Sequence, residues 1–355
     1  MSKKENCIVL TGGGTAGHVM PNINLAPEFH KHFDKIVYIG SNDGIECELV
    51  KKNTDYTFEK ITTVKLDRSK VLKNLAIPFK LSKGKSEAKK LLKKYNPCIV
   101  FSKGGYVGLP VLMAAKSLKI PAICHESDIS MGLANKLAKG YATKICTNFD
   151  VTAKQNGKKC VHTGMPIKLS PLSKDDAKQK LNIKTTKPIL LVVGGSLGAK
   201  AINKFIIENL DKLTKDFYVI HIVGKGNKKE TKNSNYMQIE FSNDMWTIYR
   251  ASDYAISRAG ANTIVELLAN KILTIFIPLP KGASRGDQVQ NACYLESNNL
   301  STTVKQEDLT WNAIDNSLKY LKNNKNQILS SIENANFKDG TKQIIDIILK
   351  EKTHE

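Results

Sequence analysis

The chain has 355 residues, a length that exceeds one ordinary hydrophobic core and predicts two domains. Hydrophobic residues make up 41% of the chain and charged residues 25%, the proportions of a globular protein in water. No segment approaches the roughly 20 consecutive apolar residues that cross a bilayer, and the first six residues lead into a strand pattern rather than a signal peptide. We therefore expect neither a transmembrane helix nor a secretory leader.

The net charge of +21, from 54 basic and 33 acidic side chains, predicts a polyanionic partner surface. Between Arg68 and Lys94, ten basic residues accompany one acid and several apolar side chains. This mixture is typical of a surface that lies on anionic lipid. The predicted membrane contacts are Leu72, Lys73, Leu75, Ile77, Phe79 and Lys80. A solvated lysine-rich helix is the alternative, and nucleic acid is not expected because few aromatic side chains are available for stacking.

Seven cysteines are scattered along the chain without a Cys-x-x-Cys pair. Cys7, Cys98, Cys124 and Cys146 fall in or beside strand patterns, where a thiol packs as a small apolar side chain. We therefore expect these cysteines to be structural, without a metal or redox role.

The first half of the chain alternates strand and helix patterns. Short apolar runs predict strands at 7–11, 36–40, 98–101, 121–124, 143–147 and 159–163. Amphipathic runs predict helices at 22–33, 44–52, 85–95, 105–118 and 131–139. Such alternation is typical of a parallel sheet covered by helices on both faces.

The second half repeats this order. The predicted strands are 188–193, 217–223, 237–241, 254–257, 274–278 and 301–304, and the predicted helices are 199–212, 244–251, 261–270, 286–298 and 307–322. A polar stretch with two nearby prolines places a hinge at about 164–170. We expect an N-terminal domain at 1–165, a C-terminal domain at 166–337, and a last helix in 338–355 that packs back on the N-terminal domain.

Two glycine-rich turns, Gly12–His18 and Gly194–Ala199, each connect a predicted strand to a predicted helix. Such a turn presents free backbone N–H groups and the positive end of a helix dipole to phosphate. Two of them predict two Rossmann-like, doubly wound α/β domains that face each other across a cleft.

Gly12, Gly14 and Gly17 also satisfy the G-x-G-x-x-G pattern of dinucleotide-binding oxidoreductases, with Asp43 as a candidate ribose ligand. Two features weigh against that alternative: His18 directly follows the third glycine, and Pro21 is expected to begin the helix one turn late. His18 is instead a candidate general base or hydrogen-bond donor, because its ordinary pKa lies near neutral pH. A capping role for His18 is the structural alternative.

Further polar groups follow other predicted strands, at the edge where open parallel sheets bind ligands. Lys103-Gly104-Gly105 forms another helix-opening turn that suits a diphosphate, and Lys103 is expected to attract the diphosphate as a point charge. Glu126 and Asp128 are candidate bases or hydroxyl ligands, although Glu126 could equally hold a loop. In the second half, Arg258 adds a positive fork beside Gly260-Ala261, and Glu266 is placed to accept ribose hydroxyls. Amide side chains near Asp287 suit a sugar, so together these groups indicate a nucleotide-sugar site.

The motifs collectively resemble the GT-B glycosyltransferase family that transfers N-acetylglucosamine from UDP-N-acetylglucosamine to lipid I in peptidoglycan synthesis. The resemblance spans nearly the whole chain. It rests on Gly12–His18, Gly104–Tyr106, His125-Glu126, Gly132–Asn135, Gly164–Pro166, Gly194–Ala199, Ser257–Glu266 and Asp287–Asn291. Where the family often has His-Glu-Gln-Asn and Gly-Asn-Pro-Val-Arg, this chain has His125-Glu-Ser-Asp128 and Gly164-Met-Pro-Ile-Lys168.

The resemblance implies where the substrates bind. The implied donor site, for UDP-N-acetylglucosamine, comprises Thr15, Gly17, Lys168, Ser196, Phe241, Ser242, Met245, Arg258, Gly260, Ala261, Glu266, Gln288 and Asn291. The implied acceptor-diphosphate site comprises Gly13, Gly14, Gly104, Gly105 and Tyr106. His18, Glu126 and Asp128 are the candidate catalytic residues, of which His18 is the preferred base for the attacking C4 hydroxyl of the muramoyl sugar.

The expected reaction inverts the anomeric carbon and requires no cofactor. Since the chain lacks an Asp-x-Asp triplet, helix N-termini and Arg258 are expected to stabilise the leaving diphosphate without an obligatory metal. The expected partners are UDP-N-acetylglucosamine, lipid I (undecaprenyl-pyrophosphoryl-muramoyl-pentapeptide), an anionic membrane at its cytoplasmic face, and other cell-wall synthesis proteins. The alternatives are a related transferase with another lipid-linked acceptor, a noncatalytic nucleotide-sugar or lipid-binding module, and an NAD-dependent oxidoreductase.

Overall fold

Residues 6–64, 76–195, 198–280 and 286–352 are described by a computed structural model. The chain divides into two units, Met1–Ile167 with Asp339–Glu355 (unit 1) and Lys168–Lys338 (unit 2). Each unit is built on its own parallel sheet, so the prediction of two doubly wound α/β domains is confirmed.

Unit 1 contains a seven-stranded sheet in the order β3-β2-β1-β4-β5-β6-β7. Its strands are β1 Cys7–Thr11, β2 Lys35–Ser41, β3 Thr57–Ile61, β4 Ile99–Ser102, β5 Ala122–Glu126, β6 Lys144–Thr147 and β7 Cys160–His162. Its first helices are α1 Ala16–Asn24, α2 Ala26–His32, α3 Ile45–Asn53, α4 Ile77–Tyr95, α5 Gly108–Ser117, α6 Leu133–Ala138 and α7 Asp150–Asn156. The strand order reverses between β1 and β4, which is where doubly wound sheets bind ligands.

Unit 2 contains a six-stranded sheet in the order β10-β9-β8-β11-β12-β13. Its strands are β8 Ile189–Val193, β9 Tyr218–Ile222, β10 Tyr236–Ile239, β11 Tyr254–Ser257, β12 Leu273–Phe276 and β13 Thr302–Thr303. Its helices are α8 Lys174–Lys180, α9 Lys200–Glu208, α10 Leu210–Asp216, α11 Met245–Ala251, α12 Ala261–Ala269, α13 Asp287–Ser297, α14 Trp311–Asn323 and α15 Lys325–Ala335, with a 3-10 turn at Gln306–Asp308.

The last helix, α16 Thr341–Glu351, completes the core of unit 1. Side chains of β1 alternate between the two faces of the sheet. Val9 belongs to the core cluster on the face that α4 and α5 cover, and Ile8 belongs to the cluster on the other face, together with Phe29. Ile344 and Ile348 of α16 are fully buried in that second cluster. Covering this face of the sheet therefore requires the C-terminal end of the chain.

The chain passes from unit 1 to unit 2 and back at two segments that lie side by side. Met165 and Asp339 form a parallel bridge, and the Gly340 N–H donates to the Met165 carbonyl at 3.0 Å. Asp339 Oδ1 accepts the Ile167 N–H at 3.2 Å and the Thr341 N–H at 3.0 Å. The Asp339 carboxylate thus binds both the segment that leaves unit 1 at Ile167 and the start of α16.

Several predicted boundaries were wrong, for local reasons. The helix predicted at 22–33 is two helices that meet at Leu25, and α1 begins at Ala16, so Pro21 lies inside it rather than at its start. Helix α4 begins eight residues before the predicted 85, with Pro78 in its first turn, where proline is favoured. β3, α7, α8 and α15 were not predicted because their sequences are short or largely polar.

Gly84 permits close packing between α4 and the segment after β3. Glu87 of α4 accepts the Thr62 N–H at 2.5 Å and the Thr62 hydroxyl at 3.1 Å. A Cβ added at Gly84 would overlap the Thr62 carbonyl oxygen far inside van der Waals contact. The absence of a side chain at Gly84 is therefore required by this packing.

We predict that Gly84→Ala lowers the melting temperature. Alanine is favoured over glycine in a helix by about 1 kcal/mol, but the clash with a backbone carbonyl has to be relieved by shifting α4 and breaking the Thr62–Glu87 bonds. Thermal unfolding followed by circular dichroism measures the effect. Gly140→Ala is the matched control, because an added Cβ there meets its nearest atom, Leu137 O, at 3.9 Å. Equal or higher stability of Gly84→Ala would contradict the packing.

Candidate functional site

Two glycine turns of unit 1 lie against each other at the carboxyl ends of β1 and β4. Gly14 and Gly105 have φ values of +83° and +80°, which glycine adopts without strain. A Cβ added at Gly105 would lie 2.6 Å from Gly13 O and 3.4 Å from His18 Nδ1, and one at Gly14 would contact the Tyr106 ring. The structure therefore brings together the predicted acceptor-diphosphate residues and the predicted base.

Glu46 of α3, which the sequence did not identify, occupies part of this first turn. Its fully buried carboxylate accepts the Gly14 N–H at 3.1 Å and the Ser41 N–H at 2.9 Å, and it also contacts the Ser41 hydroxyl. A Cβ at Gly13 would lie 2.5 Å from the same carboxyl group. Because Glu46 already holds the Gly14 N–H, a diphosphate ligand role for that donor is disfavoured. The sequence signal for this contact was an acidic residue in the first turn of the helix that follows β2. Because β2 pairs with β1, such a residue lies near the turn after β1.

His18 lies in the first turn of α1 and pairs with Thr15. The Thr15 hydroxyl is 3.1 Å from His18 Nδ1, and the His18 N–H donates to Thr15 O at 3.1 Å. Thr15 is exposed, whereas His18 and Gly17 are partly exposed. Action of Nε2 as a base requires the tautomer in which Nδ1 carries the proton and donates it to Thr15.

Glu126 holds the loop that follows β5. Its Oε1 accepts the Ser127 N–H at 2.9 Å and the Asp128 N–H at 3.0 Å. Its Oε2 accepts the Gly132 N–H and the Asn135 amide, both at 2.9 Å. Both oxygens of this buried carboxylate are thus occupied, which favours the loop-holding role that the sequence left open over a catalytic one. Asp128, in the same loop, is partly exposed.

Lys103 is not an exposed point charge beside the Gly104-Gly105 turn. Its side chain is 1% exposed, and its ammonium group donates to His125 and Ser127. The expectation that Lys103 attracts a diphosphate directly is therefore wrong, because burial directs the charge into the protein.

In unit 2, Gly260 caps the nine-residue helix α12, and a Cβ added at Gly260 would have no neighbour within 4 Å among the described residues. Three residues separate the end of β11 at Ser257 from Ala261, which begins the helix, and the first backbone N–H groups of such a helix have no acceptor within the helix. In the other glycine turn, Ser196 lies outside the described residues.

Arg258 is engaged by the protein itself. Its Nη1 donates to Ile277 O at 2.9 Å and to Pro278 O at 3.4 Å, and its Nη2 donates to Gln306 Oε1 at 2.6 Å. The side chain is 9% exposed. Its observed contacts therefore tie the end of β11 to the loop after β12, whereas the sequence anticipated a fork on the diphosphate.

Glu266 lies in the second turn of α12 and accepts the Tyr249 hydroxyl at 2.8 Å. Burial raises the pKa of the Glu266 carboxyl from 4.5 to about 7, although the Tyr249 bond acts in the opposite direction. Glu266 as a residue is partly exposed, and its carboxylate, with one described donor, retains acceptor capacity for a ligand hydroxyl.

The other predicted donor residues have varied surroundings. The Phe241 ring is 57% exposed, Ser242 Oγ accepts the Asp244 N–H at 3.1 Å, and Met245 begins α11. Lys168 Nζ lies 4.2 Å from the centre of the Trp246 ring. Gln288 Oε1 accepts the Leu279 N–H at 3.0 Å, and the buried Asn291 donates to Ala259 O at 3.2 Å.

No cluster of three or more metal-ligating side chains occurs among the residues that the structure describes. Cys7, Cys124 and Cys146 are buried, Cys98 is partly exposed just before β4, and Cys293 is exposed.

Comparison with known proteins identifies two matching domains. The glycosyltransferase family 28 N-terminal domain matches residues 8–147, and the glycosyltransferase family 28 C-terminal domain matches residues 189–346. The chain is 45% identical over 356 residues to a Clostridium tetani protein, covering 99% of this chain and 98% of the relative. It is 45% identical over 349 residues to a Clostridium botulinum (strain Langeland) protein, covering 97% and 98%.

Both relatives are named UDP-N-acetylglucosamine--N-acetylmuramyl-(pentapeptide) pyrophosphoryl-undecaprenol N-acetylglucosamine transferase. Among solved structures, Acinetobacter baumannii MurG has the same fold, with a TM-score of 0.75 and 24% identity over 97% of this chain and 99% of that one.

We predict that Glu266→Gln raises the melting temperature of unit 2 at pH 8 but not at pH 5. Since the folded-state pKa is raised, the carboxyl destabilises the folded state as pH rises from 4.5 through about 7, and the neutral amide removes that cost. Scanning calorimetry at both pH values measures the difference. Glu333→Gln, at a carboxylate that is 58% exposed, is the control. A gain in melting temperature of the same size at both pH values would contradict the raised pKa of Glu266.

Proposed function

The chain belongs to glycosyltransferase family 28, and on that premise we propose that it transfers N-acetylglucosamine from UDP-N-acetylglucosamine to lipid I, forming lipid II. The observation that carries this proposal is 45% identity over 99% of the chain to a relative named for that activity. Both family domains are present, in the same order, on two parallel-sheet units. The enzyme is therefore an N-acetylglucosaminyltransferase.

We propose that the donor lies on unit 2 at the start of α12. Since no described residue lies within 4 Å of a Cβ placed at Gly260, the diphosphate can approach the backbone N–H groups and the positive end of the helix dipole there. Glu266 accepts the ribose hydroxyls, and the exposed Phe241 ring packs on the uracil. Arg258, Gln288 and Asn291 shape the loops around the donor through the carbonyl and N–H contacts described above.

We propose that the acceptor lies on unit 1, at the turns after β1 and β4. The C4 hydroxyl of the muramoyl sugar must lose a proton as its oxygen attacks the anomeric carbon opposite UDP. His18 accepts that proton at Nε2 while Nδ1 donates to Thr15, the orientation that their 3.1 Å separation permits. The positive charge formed on the imidazole is then balanced by the departing UDP anion.

The experiment is a UDP-release assay with a lipid I analogue and UDP-N-acetylglucosamine. We expect UDP release by the wild type, and we expect His18→Ala to lower kcat by about 100- to 10,000-fold, the usual contribution of a general base, with little change in the KM for the donor. His30→Ala is the matched control, because His30 is an exposed histidine paired with Asp55 at 3.0 Å. Absence of UDP release by the wild type would refute the function, and full activity of His18→Ala would move the base to Asp128.

We further propose that the start of α4 rests on the cytoplasmic face of an anionic membrane. The Phe79 ring is 79% exposed, and Lys80 beside it is exposed as well. Such a pair places an apolar ring among headgroups and a cation near lipid phosphates. Ile77 is partly exposed, while Leu72, Lys73 and Leu75 lie outside the described residues. In the described parts of the chain, no helix has the length and hydropathy of a membrane span.

We expect Phe79→Asp to weaken binding to vesicles of anionic phosphatidylglycerol by at least about tenfold, because it removes the ring that would enter the headgroup layer and adds a charge that anionic lipid repels. Vesicle sedimentation at low and high salt measures the partition coefficient. Tyr320→Asp, at an aromatic ring 42% exposed on unit 2, is the control and should bind as the wild type does. If Phe79→Asp binds vesicles as strongly as the wild type does, the start of α4 does not contact the membrane.

A further inference from the structure

The Glu46 carboxylate lies inside unit 1, in the first turn of α3, and accepts hydrogen bonds from two different segments. Its Oε1 accepts the Ser41 N–H at 2.9 Å and a short hydrogen bond from the Ser41 hydroxyl. Its Oε2 accepts the Gly14 N–H at 3.1 Å. Since the side chain is fully buried, these bonds compensate the loss of its hydration. One oxygen thus binds the end of β2, and the other binds the turn after β1.

Three glycines leave the space that the Glu46 side chain occupies. A Cβ added at Gly13, in the turn after β1, would lie 2.5 Å from its Cδ, and one at Gly40, in β2, would lie 2.9 Å from its Cγ. A Cβ at Gly44, the N-cap of α3, would overlap the carboxyl group outright. The position of this carboxylate is therefore fixed by close packing as well as by hydrogen bonds.

The first glycine turn is packed between Glu46 and the second glycine turn. A Cβ added at Gly105 would lie 2.6 Å from Gly13 O and 3.4 Å from His18 Nδ1. The Tyr38 hydroxyl donates to Gly12 O at 2.7 Å, so a carbonyl of the first turn is also held from β2. Because the turn contacts protein atoms on several sides, loss of the Glu46 bond would change where Gly13 and Gly14 lie.

The residue that follows Gly14 in the chain makes the contact to His18. Thr15 is the N-cap of α1, with an extended backbone and no hydrogen bond from its side chain to the helix. Its hydroxyl lies 3.1 Å from His18 Nδ1, and its carbonyl accepts the His18 N–H at 3.1 Å. Thr15 thus orients the imidazole ring, and the bond at Gly14 fixes the backbone from which Thr15 extends.

We propose that Glu46 is a positioning residue for the general base: by holding the Gly14 N–H it fixes the first glycine turn, and through Thr15 it fixes the orientation in which His18 accepts the proton of the acceptor hydroxyl. This inference rests on the proposed transferase function, with His18 as the base. It assigns Glu46 no contact with substrate. Since a misplacement of about 1 Å can cost a reaction about 100-fold in rate, Glu46 contributes to kcat rather than to substrate affinity.

The variant Glu46→Gln separates the two contacts of the carboxylate. When the amide oxygen accepts from Ser41, the NH2 group faces the Gly14 N–H, donor against donor. In the full-length enzyme we expect kcat for a lipid I analogue to fall at least about tenfold, while the KM for UDP-N-acetylglucosamine changes by less than about twofold. The UDP-release assay measures both. Glu48→Gln, at an exposed acid of the same helix, is the matched control and should keep the wild-type kcat.

A double-mutant cycle with His18→Ala supplies a readout that a merely structural role would not move. If Glu46 acts through His18, adding Glu46→Gln to the His18→Ala enzyme should lower kcat by less than about twofold. If Glu46 only stabilises the fold, the same fall in kcat should appear with and without His18. Transfer of a radiolabelled sugar from UDP-N-acetylglucosamine measures the low rates of the His18→Ala enzymes.

Glu46→Asp keeps the test available if Glu46→Gln fails to fold. It retains the charge but shortens the side chain, so that the carboxylate cannot reach Ser41 and Gly14 together. We expect the same fall in kcat and the same loss of effect in the His18→Ala enzyme. A wild-type kcat in either folded variant, or an equal fall with and without His18, would overturn the inference. Failure of the transferase function itself would appear differently, as a wild type that releases no UDP.

Discussion

Both units depend on the backbone N–H groups that lie at the carboxyl ends of their parallel strands. In unit 2, no described residue would contact a side chain at Gly260, which caps α12. In unit 1 the turn after β1 is closed from within, because Glu46 accepts the Gly14 N–H. Strand-turn-helix junctions therefore differ: one presents a helix N-terminus to the proposed donor diphosphate, whereas in the other a carboxylate of the protein itself accepts a backbone N–H. This difference is consistent with a donor diphosphate on unit 2.

Three carboxylates near these turns show how burial is compensated. Glu46 is held by Ser41 and Gly14, and Glu126 by three backbone N–H groups and one amide. Glu266 has Tyr249 as its described donor, and burial raises its pKa to about 7. A carboxylate whose neighbours fill both oxygens organises backbone, whereas one that retains unfilled acceptor capacity can respond to a ligand. Glu266, the proposed ribose ligand, therefore differs from Glu46 and Glu126, whose carboxylates hold backbone N–H groups.

The strand-helix alternation and the glycine turns were readable from the sequence because they depend on residues close in the chain. Roles that depend on distant partners were not. Arg258 meets Gln306, which is 48 residues away, and Gly14 meets Glu46, which is 32 residues away, so no local pattern shows whether such a polar group binds a ligand or the protein. Lys103 illustrates the same limit: a basic residue beside a glycine turn suggests phosphate binding, yet its burial against His125 and Ser127 depends on the pairing of β4 with β5.

The adjacent crossings at Ile167 and Asp339 make unit 2 an insertion within unit 1. Because the Ile167 N–H and the Asp339 carboxylate are hydrogen-bonded, the first and last residues of the inserted segment, Lys168 and Lys338, are tethered next to one another. Segments with neighbouring ends can be excised and rejoined with little loop-closure entropy. The architecture is thus modular: a short linker could close unit 1 over the gap, and exchange of the inserted segment between homologues would leave its strand order untouched.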